Sequence, residues 1–289
     1  MPAQYKSLIR IHSAVVLFGL AGLFGKLILL PPVIIVLGRV FFAAVVLLVV
    51  LIAGRRYSFS LEKGRDYVVL LFTGIILAFH WFAFFYSIQI STVATGLLTF
   101  STFPVFVVFF EPWFFREKVR VKDIIIALVA FSGVALVIPE YSFENKITEG
   151  AMWGVLSGMT FAIMSVLNRK YVKKYSGLVI AFYQDFVAAI VLLPFLFFID
   201  PLITGKDLVL LILLGVVFTA VAHTLFISSM KSIKAKTASI IVCLEPVYGI
   251  LAAIFIVSEI PDLKVILGGI AIIAIAFYVS FRSGIKSDL

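Results

Sequence analysis

Two stretches of this chain of 289 residues decide its fold. Residues 93–105 read Val-Ala-Thr-Gly-Leu-Leu-Thr-Phe-Ser-Thr-Phe-Pro-Val, and residues 235–247 read Ala-Lys-Thr-Ala-Ser-Ile-Ile-Val-Cys-Leu-Glu-Pro-Val. The two align at an offset of 142 residues, the difference between Thr95 and Thr237. Six more identities follow the same offset: Ala78 with Ala220, Phe84 with Phe226, Ser87 with Ser229, Pro104 with Pro246, Val105 with Val247, and Glu117 with Glu259. The offset predicts an internal repeat.

The composition indicates a membrane protein. Hydrophobic residues make up 63% of the chain, charged residues 13%, and the mean hydropathy is +1.20. A soluble domain carries charge on about a quarter of its residues, whereas a helix that spans a bilayer needs about 20 mostly apolar residues. We therefore predict an all-α membrane protein with ten spans, at 9–29, 33–53, 67–88, 93–113, 121–138, 150–168, 178–199, 207–229, 236–257 and 263–281.

Lysine and arginine predict the orientation of these spans, because cytoplasmic loops carry an excess of both. With the N-terminus inside, 19 of the 24 fall in inner segments, Lys26 and Arg39 fall within spans, and Lys146, Lys206 and Lys264 lie outside. Both termini are therefore expected in the cytoplasm, with the protein in the cell inner membrane. The same distribution accounts for the net charge of +9 and argues against nucleic acid as a partner.

The repeat must be inverted, because each copy has an odd number of spans. We expect repeats at 1–144 and 145–289, and the loop charges reverse between them. The basic loop 114–122 corresponds to the nearly neutral stretch 256–264, and the uncharged link at 88–92 corresponds to the lysine-bearing link at 230–234. Inverted repeats typically enclose a transport site near the membrane midplane.

At this point the sequence resembles a known family, the EamA-type ten-helix members of the drug/metabolite transporter superfamily. Residues 235–247 followed by Glu259 look like the family signature, and so do residues 93–105 followed by Glu117. The resemblance implies an alternating-access carrier, commonly an exporter of amino acids or related metabolites. The sequence departs from the family pattern at two places. The first helix of the family usually starts with an aromatic residue, tryptophan, followed by glycine, and Phe18-Gly19 stands there instead. Glu111-Pro112 is an additional acid–proline pair.

Ionisable and aromatic side chains at membrane depth are the candidate substrate-binding residues, because such groups usually face a cavity or a partner. They are His80, Trp81, Phe84, His223, Glu245, Arg39 and Gln184. Each also has a structural interpretation. A histidine can bond a neighbouring carbonyl, Glu245 can bond the backbone opened by Pro246, and Arg39 can snorkel. An Arg39–Asp185 bridge is a further possibility.

The polar residues are few and of mixed sign, which favours a small zwitterionic solute such as an amino acid. A drug or aromatic-solute carrier and a nucleotide-sugar carrier stay open, although the latter would favour clustered cations at depth. An intramembrane enzyme is the alternative from another class, but no catalytic pair, metal site or cofactor motif is evident. We expect no cofactor, a small-molecule substrate and membrane lipid as partners, and a monomer or homodimer.

Overall fold

The protein is described by a computed structural model, which covers residues 3–54, 59–115, 121–138, 142, 144–233, 238 and 241–285. All regular structure in these ranges is helical. The helices are α1 (Ala3–Ala21), α2 (Phe24–Leu27), α3 (Pro32–Ala53), α4 (Gly64–Ile90), α5 (Val93–Phe100), α6 (Phe103–Phe115), α7 (Val121–Val137), α8 (Lys146–Tyr171), α9 (Gly177–Leu192), α10 (Gly205–Gly215), α11 (Ala222–Ser229), α12 (Glu245–Ile256) and α13 (Leu263–Ile285). A 3₁₀ turn (Leu193–Phe197) follows α9, and a π-helical segment (Val216–Val221) joins α10 to α11.

Several residues on which the sequence argument drew lie outside the described ranges. They are Glu117, Thr237, and the basic residues Arg55, Arg56, Arg116, Lys118, Arg120, Lys234, Lys236 and Lys286.

Helix starts are set by side chains that accept otherwise unpaired backbone N–H groups. The Asn145 side chain accepts from Ile147 at the start of α8, and Ser176 and Thr92 cap α9 and α5 in the same way. Thr204 and Asp207 form a reciprocal capping box at the start of α10. Polar residues at the loops thus fix where the apolar helices begin.

Within the described ranges, seven helical stretches are long and apolar enough to cross a membrane. They are Tyr5–Leu27, Pro32–Ala53, Gly64–Ile90, Val93–Phe114, Lys146–Tyr171, Gly177–Phe197 and Gly205–Ser229. Seven of the ten predicted spans match them, and several of these helices begin earlier than predicted. The other three predicted spans coincide with α7, α12 and α13, so the count of ten stays a prediction.

Two of the predicted spans are interrupted at corresponding positions. Residues 101–102 separate α5 from α6, and residues 243–244 immediately precede α12. The two breaks are separated by the same 142 residues as the sequence repeat. Hydroxyl groups satisfy the first break, where Ser101 donates to the carbonyl of Leu97 and Thr102 donates to that of Thr99. Both long helices are therefore discontinuous near their middle.

The helices of the two halves interleave in a pattern that is unchanged when the halves are exchanged. Helix α4 packs on α8, and its counterpart contact is α1 on α11. Likewise α4 on α9 corresponds to α3 on α10, and α5 on α8 corresponds to α1 on α12. Two contacts are their own counterparts, α3 with α9 and α7 with α13. Most of the core therefore lies between the halves and not within either one.

Glycines permit the closest of these helix crossings. A Cβ atom on Gly19 of α1 would lie 2.7 Å from the carbonyl oxygen of Glu245, the first residue of α12. A Cβ on Gly268 of α13 would lie 2.8 Å from the carbonyl oxygen of Gly133 on α7. Small residues let membrane helices approach in this way. Gly268 thus serves packing within the chain.

Candidate functional site

Arg39 lies at the contact between α3 and the second half of the chain. Its side chain is among the largest that are fully buried, and its Nε donates to the hydroxyl of Thr219 at 3.0 Å. The guanidinium carbon lies 3.8 Å from the centroid of the Trp81 ring and 5.2 Å from that of Phe85. A guanidinium over an aromatic face is stabilised by the ring quadrupole. Arg39 therefore does not snorkel to the surface; it is a buried cation.

The acceptor for Arg39 is presented by an irregular piece of backbone. Thr219 lies in the π-helical segment, and its hydroxyl also donates to the carbonyl of Leu214 at 2.8 Å. A π-helical turn adds a residue to the turn and frequently marks a functional position. Thr219 was not among the predicted site residues, because its sequence signal is a single hydroxyl in an apolar run.

Two buried carboxylates share the surroundings of Arg39. Glu245 is the first residue of α12, immediately after the break at 243–244, and Asp185 lies on α9. The guanidinium interacts electrostatically with both. The suggested Arg39–Asp185 bridge is wrong, because none of the ion pairs within 4 Å among the described residues joins the two. Instead, the Nε of Arg39 donates a hydrogen bond to Thr219, and the face of its guanidinium stacks on the Trp81 ring.

His80 is held by a neighbouring helix. Its Nδ1 lies 2.9 Å from both the carbonyl oxygen and the hydroxyl of Ser157 on α8, and the Ser157 hydroxyl also reaches the carbonyl of His80 at 3.2 Å. The rings of Phe161 and Phe100 lie 5.3 Å and 5.7 Å from the imidazole, centroid to centroid. This arrangement matches the structural interpretation of His80, in which α8 fixes the ring.

An aromatic surface extends from His80 toward Arg39. Trp81 stacks under the guanidinium, and its ring centroid lies 5.6 Å from that of His223 on α11. Phe84 packs edge-on to Phe100 at 5.6 Å. The structure therefore brings His80, Trp81, Phe84 and His223 together along one side of the α4 helix. Tyr86 points elsewhere and donates to Glu149 at 3.0 Å.

Gln184 makes a different contact from its neighbour Asp185. Its Nε2 donates to Oδ1 of Asn168 on α8 at 2.7 Å, and both side chains are buried. Gln184 is thus bound to α8 and is not part of the Arg39–Trp81 stack. Ser157 and Asn168, like Thr219, are uncharged partners that a search for ionisable residues passes over.

Ion pairs bind the helix ends on either side of this buried cluster. Lys26 donates to the carbonyl of Ser91 at 2.7 Å and lies 3.5 Å from Glu259, whose other oxygen accepts from the backbone N–H of Val93 at 2.8 Å. Glu259 therefore pairs with Lys26 and caps the start of α5 at the same time.

At the opposite helix ends, Glu111 of α6 pairs with Arg169 of α8. Asp66 of α4 accepts from Lys174 at 2.5 Å, in the link between α8 and α9. The hydrogen bond from Lys174 to Asp66 raises the pKa of Lys174 above the ordinary lysine value, and hydrogen bonds with Tyr175 and Glu62 contribute less. Both pairs join the first half of the chain to the second.

No set of three or more His, Cys, Asp or Glu side chains that could hold a metal ion occurs within the described ranges. The arrangement is instead a buried cation, two buried carboxylates and an aromatic surface between two interleaved helical halves. Charged and aromatic side chains buried between helical halves are typical of the solute sites of multi-pass membrane transporters.

Comparison with known proteins agrees with this class. The model of the EamA-like transporter family matches residues 6–138 and again residues 148–281. The chain belongs to the EamA-like transporter family, whose members are transporters and not enzymes. The family model thus occurs twice, at starting positions 142 residues apart.

Individual relatives are more distant. The chain is 27% identical over 273 residues to the uncharacterized transporter YxxF of Bacillus subtilis (strain 168), covering 93% of this chain and 87% of that protein. It is 26% identical over 226 residues to the S-adenosylmethionine uptake transporter of Rickettsia felis, covering 77% and 74% respectively. A solved crystal structure superposes with a TM-score of 0.67 at 18% identity, over 96% of this chain and 97% of the other, which shows a common fold.

Proposed function

We propose that the protein is an alternating-access carrier for small zwitterionic metabolites of the amino-acid type. The observation that carries the proposal is the placement of the Arg39 guanidinium, which is buried between the halves, stacked on Trp81 and in electrostatic reach of Glu245. A guanidinium recognises a carboxylate in a fixed fork geometry, and the Glu245 carboxylate attracts an ammonium or sulfonium group. One solute with both charges satisfies both side chains.

The aromatic surface extends this recognition beyond the charged ends. Trp81 and Phe84 lie beside the charged groups, and rings of this kind attract cations and planar groups. S-adenosylmethionine combines an α-amino acid, a sulfonium and a planar base. The names of the rickettsial relatives therefore favour including it in the panel of candidate solutes.

The proposed mechanism is a rocking of two inverted five-helix repeats, about residues 1–144 and 145–289, around this cluster. The exchange-symmetric packing and the paired breaks at 101–102 and 243–244 support it, since discontinuous helices commonly border transporter sites. Ten spans with both termini cytoplasmic, in the cell inner membrane, complete the proposal. Export is the commoner direction implied by the family resemblance, whereas the relative from Rickettsia felis is named as an uptake transporter.

Carriers of multiply charged nucleotide conjugates fit the site less well. Arg39 is the one lysine or arginine that is buried among the residues for which burial is described. A single guanidinium already stacked on an aromatic ring suits one carboxylate better than a pyrophosphate, which favours clustered cations.

Counterflow in proteoliposomes tests the proposal. Purified protein is reconstituted with one unlabelled solute inside, and uptake of labelled amino acids or labelled S-adenosylmethionine is followed. Exchange of at least one zwitterion, abolished by Glu245→Gln and by Arg39→Gln, is expected. Folded protein that exchanges none of the panel, or a Glu245→Gln variant that exchanges normally, would contradict the amino-acid assignment.

A further inference from the structure

Asp185 and His223 form a buried pair of their own beside the Arg39–Trp81 stack. Asp185 lies on α9 with no exposed surface, and His223 lies on α11 with 2% exposure. Oδ1 of Asp185 is 3.7 Å from Nδ1 of His223, which is beyond the usual hydrogen-bond distance of about 2.7–3.2 Å. Within the described part of the chain, both Asp185 oxygens and this His223 nitrogen lack a hydrogen-bond partner.

A buried carboxylate without partners is unfavourable, because burial removes its hydration and nothing replaces it. Water, a cation or a proton can supply the missing interaction. The distance between the two side chains favours a proton, since a small closure converts the contact into a charge-assisted hydrogen bond. The Trp81 ring packs edge-on against the His223 ring, with centroids 5.6 Å apart.

The charged groups around the pair leave one negative charge in the cluster. Helix α3 contributes Arg39, which interacts electrostatically with Asp185 and with Glu245 of α12. Helix α4 contributes His80, whose ring is held by Ser157. The other acidic residue of α4, Asp66, is already paired with Lys174 at the start of the helix. One guanidinium therefore faces two carboxylates. Binding of a single proton by the Asp185–His223 pair makes the buried cluster neutral.

We propose that Asp185 and His223 form a proton-binding site that is mechanically linked to the substrate cluster. The link is the π-helical segment directly before α11, whose Thr219 binds Arg39. Protonation draws α11 toward α9 and moves the acceptor of the Arg39 side chain with it. As a coupling device the site rests on the proposed transport function, whereas proton binding itself requires no solute.

Two titrations of the purified protein test the site without any solute. Trp113→Phe and Trp153→Phe leave Trp81 as the one tryptophan of the chain, and a protonated imidazole beside it quenches its fluorescence. We expect a quenching transition as the pH is lowered through the range in which the protein stays folded. Infrared difference spectra over the same range report any carboxyl group that gains a proton.

Asp185→Asn is expected to abolish or displace the quenching transition and to remove its share of the carboxyl signal, while Glu245→Gln retains the transition. His223→Gln, a second variant in case Asp185→Asn does not fold, is expected to abolish the quenching. Wild-type protein without a transition, or an Asp185→Asn protein that titrates like the wild type, overturns the proposal. Because neither readout depends on transport, a failed counterflow panel does not affect this outcome.

Coupling is tested with the same labelled amino acids and S-adenosylmethionine under an imposed pH gradient. The readout is the ratio of uptake with the pH gradient to uptake without it, measured within each variant. The wild type is expected to accumulate a solute against its gradient, and Asp185→Asn is expected to lose at least tenfold in this ratio. If a folded Asp185→Asn variant accumulates solute as well as the wild type does, the proposed coupling between the Asp185–His223 site and transport is wrong.

Discussion

The rings of Trp81 and His223 lie 5.6 Å apart, centroid to centroid, although the two residues are separated by the 142 positions that relate the two halves. Corresponding positions meet in this way when they lie near an axis that exchanges the halves. The contacts of α3 with α9 and of α7 with α13 have the same property. The buried charges thus lie where both halves contribute equivalent helices, and a relative rotation of the halves changes their spacing.

Arg39→Lys is predicted to impair exchange although it keeps the charge. Lysine has no planar guanidinium, so the variant loses the hydrogen bond from Nε to Thr219 and the stacking over Trp81. A loss of about 1–2 kcal/mol, on the order of tenfold in counterflow rate, is expected. Trp81→Phe, which keeps an aromatic face, is the matched milder change. Equal rates for Arg39→Lys and the wild type would show that the fork geometry is not used.

Glu259→Gln is predicted to destabilise the protein more than Lys26→Gln. Glu259 has two roles, pairing with Lys26 and accepting the N–H of Val93 at the start of α5, whereas Lys26 contributes one charge and one donor. We expect about 1 kcal/mol for Glu259→Gln, and a coupling of about 0.2–1 kcal/mol between the two sites, because both side chains are partly exposed. A double-mutant cycle on unfolding in mild detergent measures both. A larger destabilisation by Lys26→Gln than by Glu259→Gln, together with no coupling energy between the two sites, would contradict the two roles assigned to Glu259.

Gly19→Ala is predicted to lower the free energy of unfolding. The new Cβ would meet the Glu245 carbonyl oxygen at 2.7 Å, and a backbone atom cannot rotate away. Overpacking of this kind costs about 1–3 kcal/mol, which exceeds the gain of about 0.5–1 kcal/mol from replacing glycine in a helix. Gly205→Ala is the control, because nothing lies within 4 Å of its added Cβ. Thermal unfolding in detergent compares the two. Equal stability of both variants would mean that α1 and α12 separate easily.

Single cysteines are predicted to report opposite sides of the membrane at Lys206 and Lys231. Both residues are exposed, and they lie at opposite ends of one candidate span, Gly205–Ser229: Lys206 is its second residue and Lys231 follows it. The only native cysteine, Cys243, is buried and can be replaced by alanine. In intact cells an impermeant maleimide should label Lys206→Cys, and should label Lys231→Cys only after permeabilisation. The opposite pattern would reverse the proposed orientation.

Lys174→Gln is predicted to change the alkaline end of the stability profile. Since the hydrogen bond to Asp66 raises the pKa of Lys174, the stabilisation is complete below the unfolded-state value of about 10.4 and is lost as the pH rises through the higher folded-state value. Thermal unfolding between about pH 8 and pH 11 should therefore decline less in Lys174→Gln than in the wild type. Lys173→Gln, an exposed neighbour, should decline as the wild type does.

Much of the fold could be predicted from the sequence, because hydropathy and turn residues follow the chain in one dimension. Seven predicted spans match long apolar helices, and the offset read from Thr95 and Pro104 recurs in the family matches and in the paired helix breaks. The breaks themselves were not predicted. Apolar residues lie on both sides of 101–102, and the hydroxyl groups of Ser101 and Thr102 look the same in sequence as hydroxyl groups within a continuous helix.

The candidate site was predictable only as a set of residue types. Membrane depth singles out Arg39, His80, His223 and Glu245, since charge in an apolar run is visible without a structure. The uncharged hydrogen-bond partners Thr219 and Ser157 were missed. The suggested Arg39–Asp185 bridge was wrong because a π-helical turn presents Thr219 to the guanidinium.

The sequence by itself determined the class of protein, its helical segments and its duplication, because these depend on composition and spacing along the chain. Only the tertiary structure decided that Lys26 meets Glu259, that His80 is held by Ser157, and that Asp185 faces His223. Those contacts depend on which helix faces touch and on how a local irregularity rotates one of them. A side chain in a packed membrane bundle finds its partner through these two features, and neither is encoded at a fixed sequence separation.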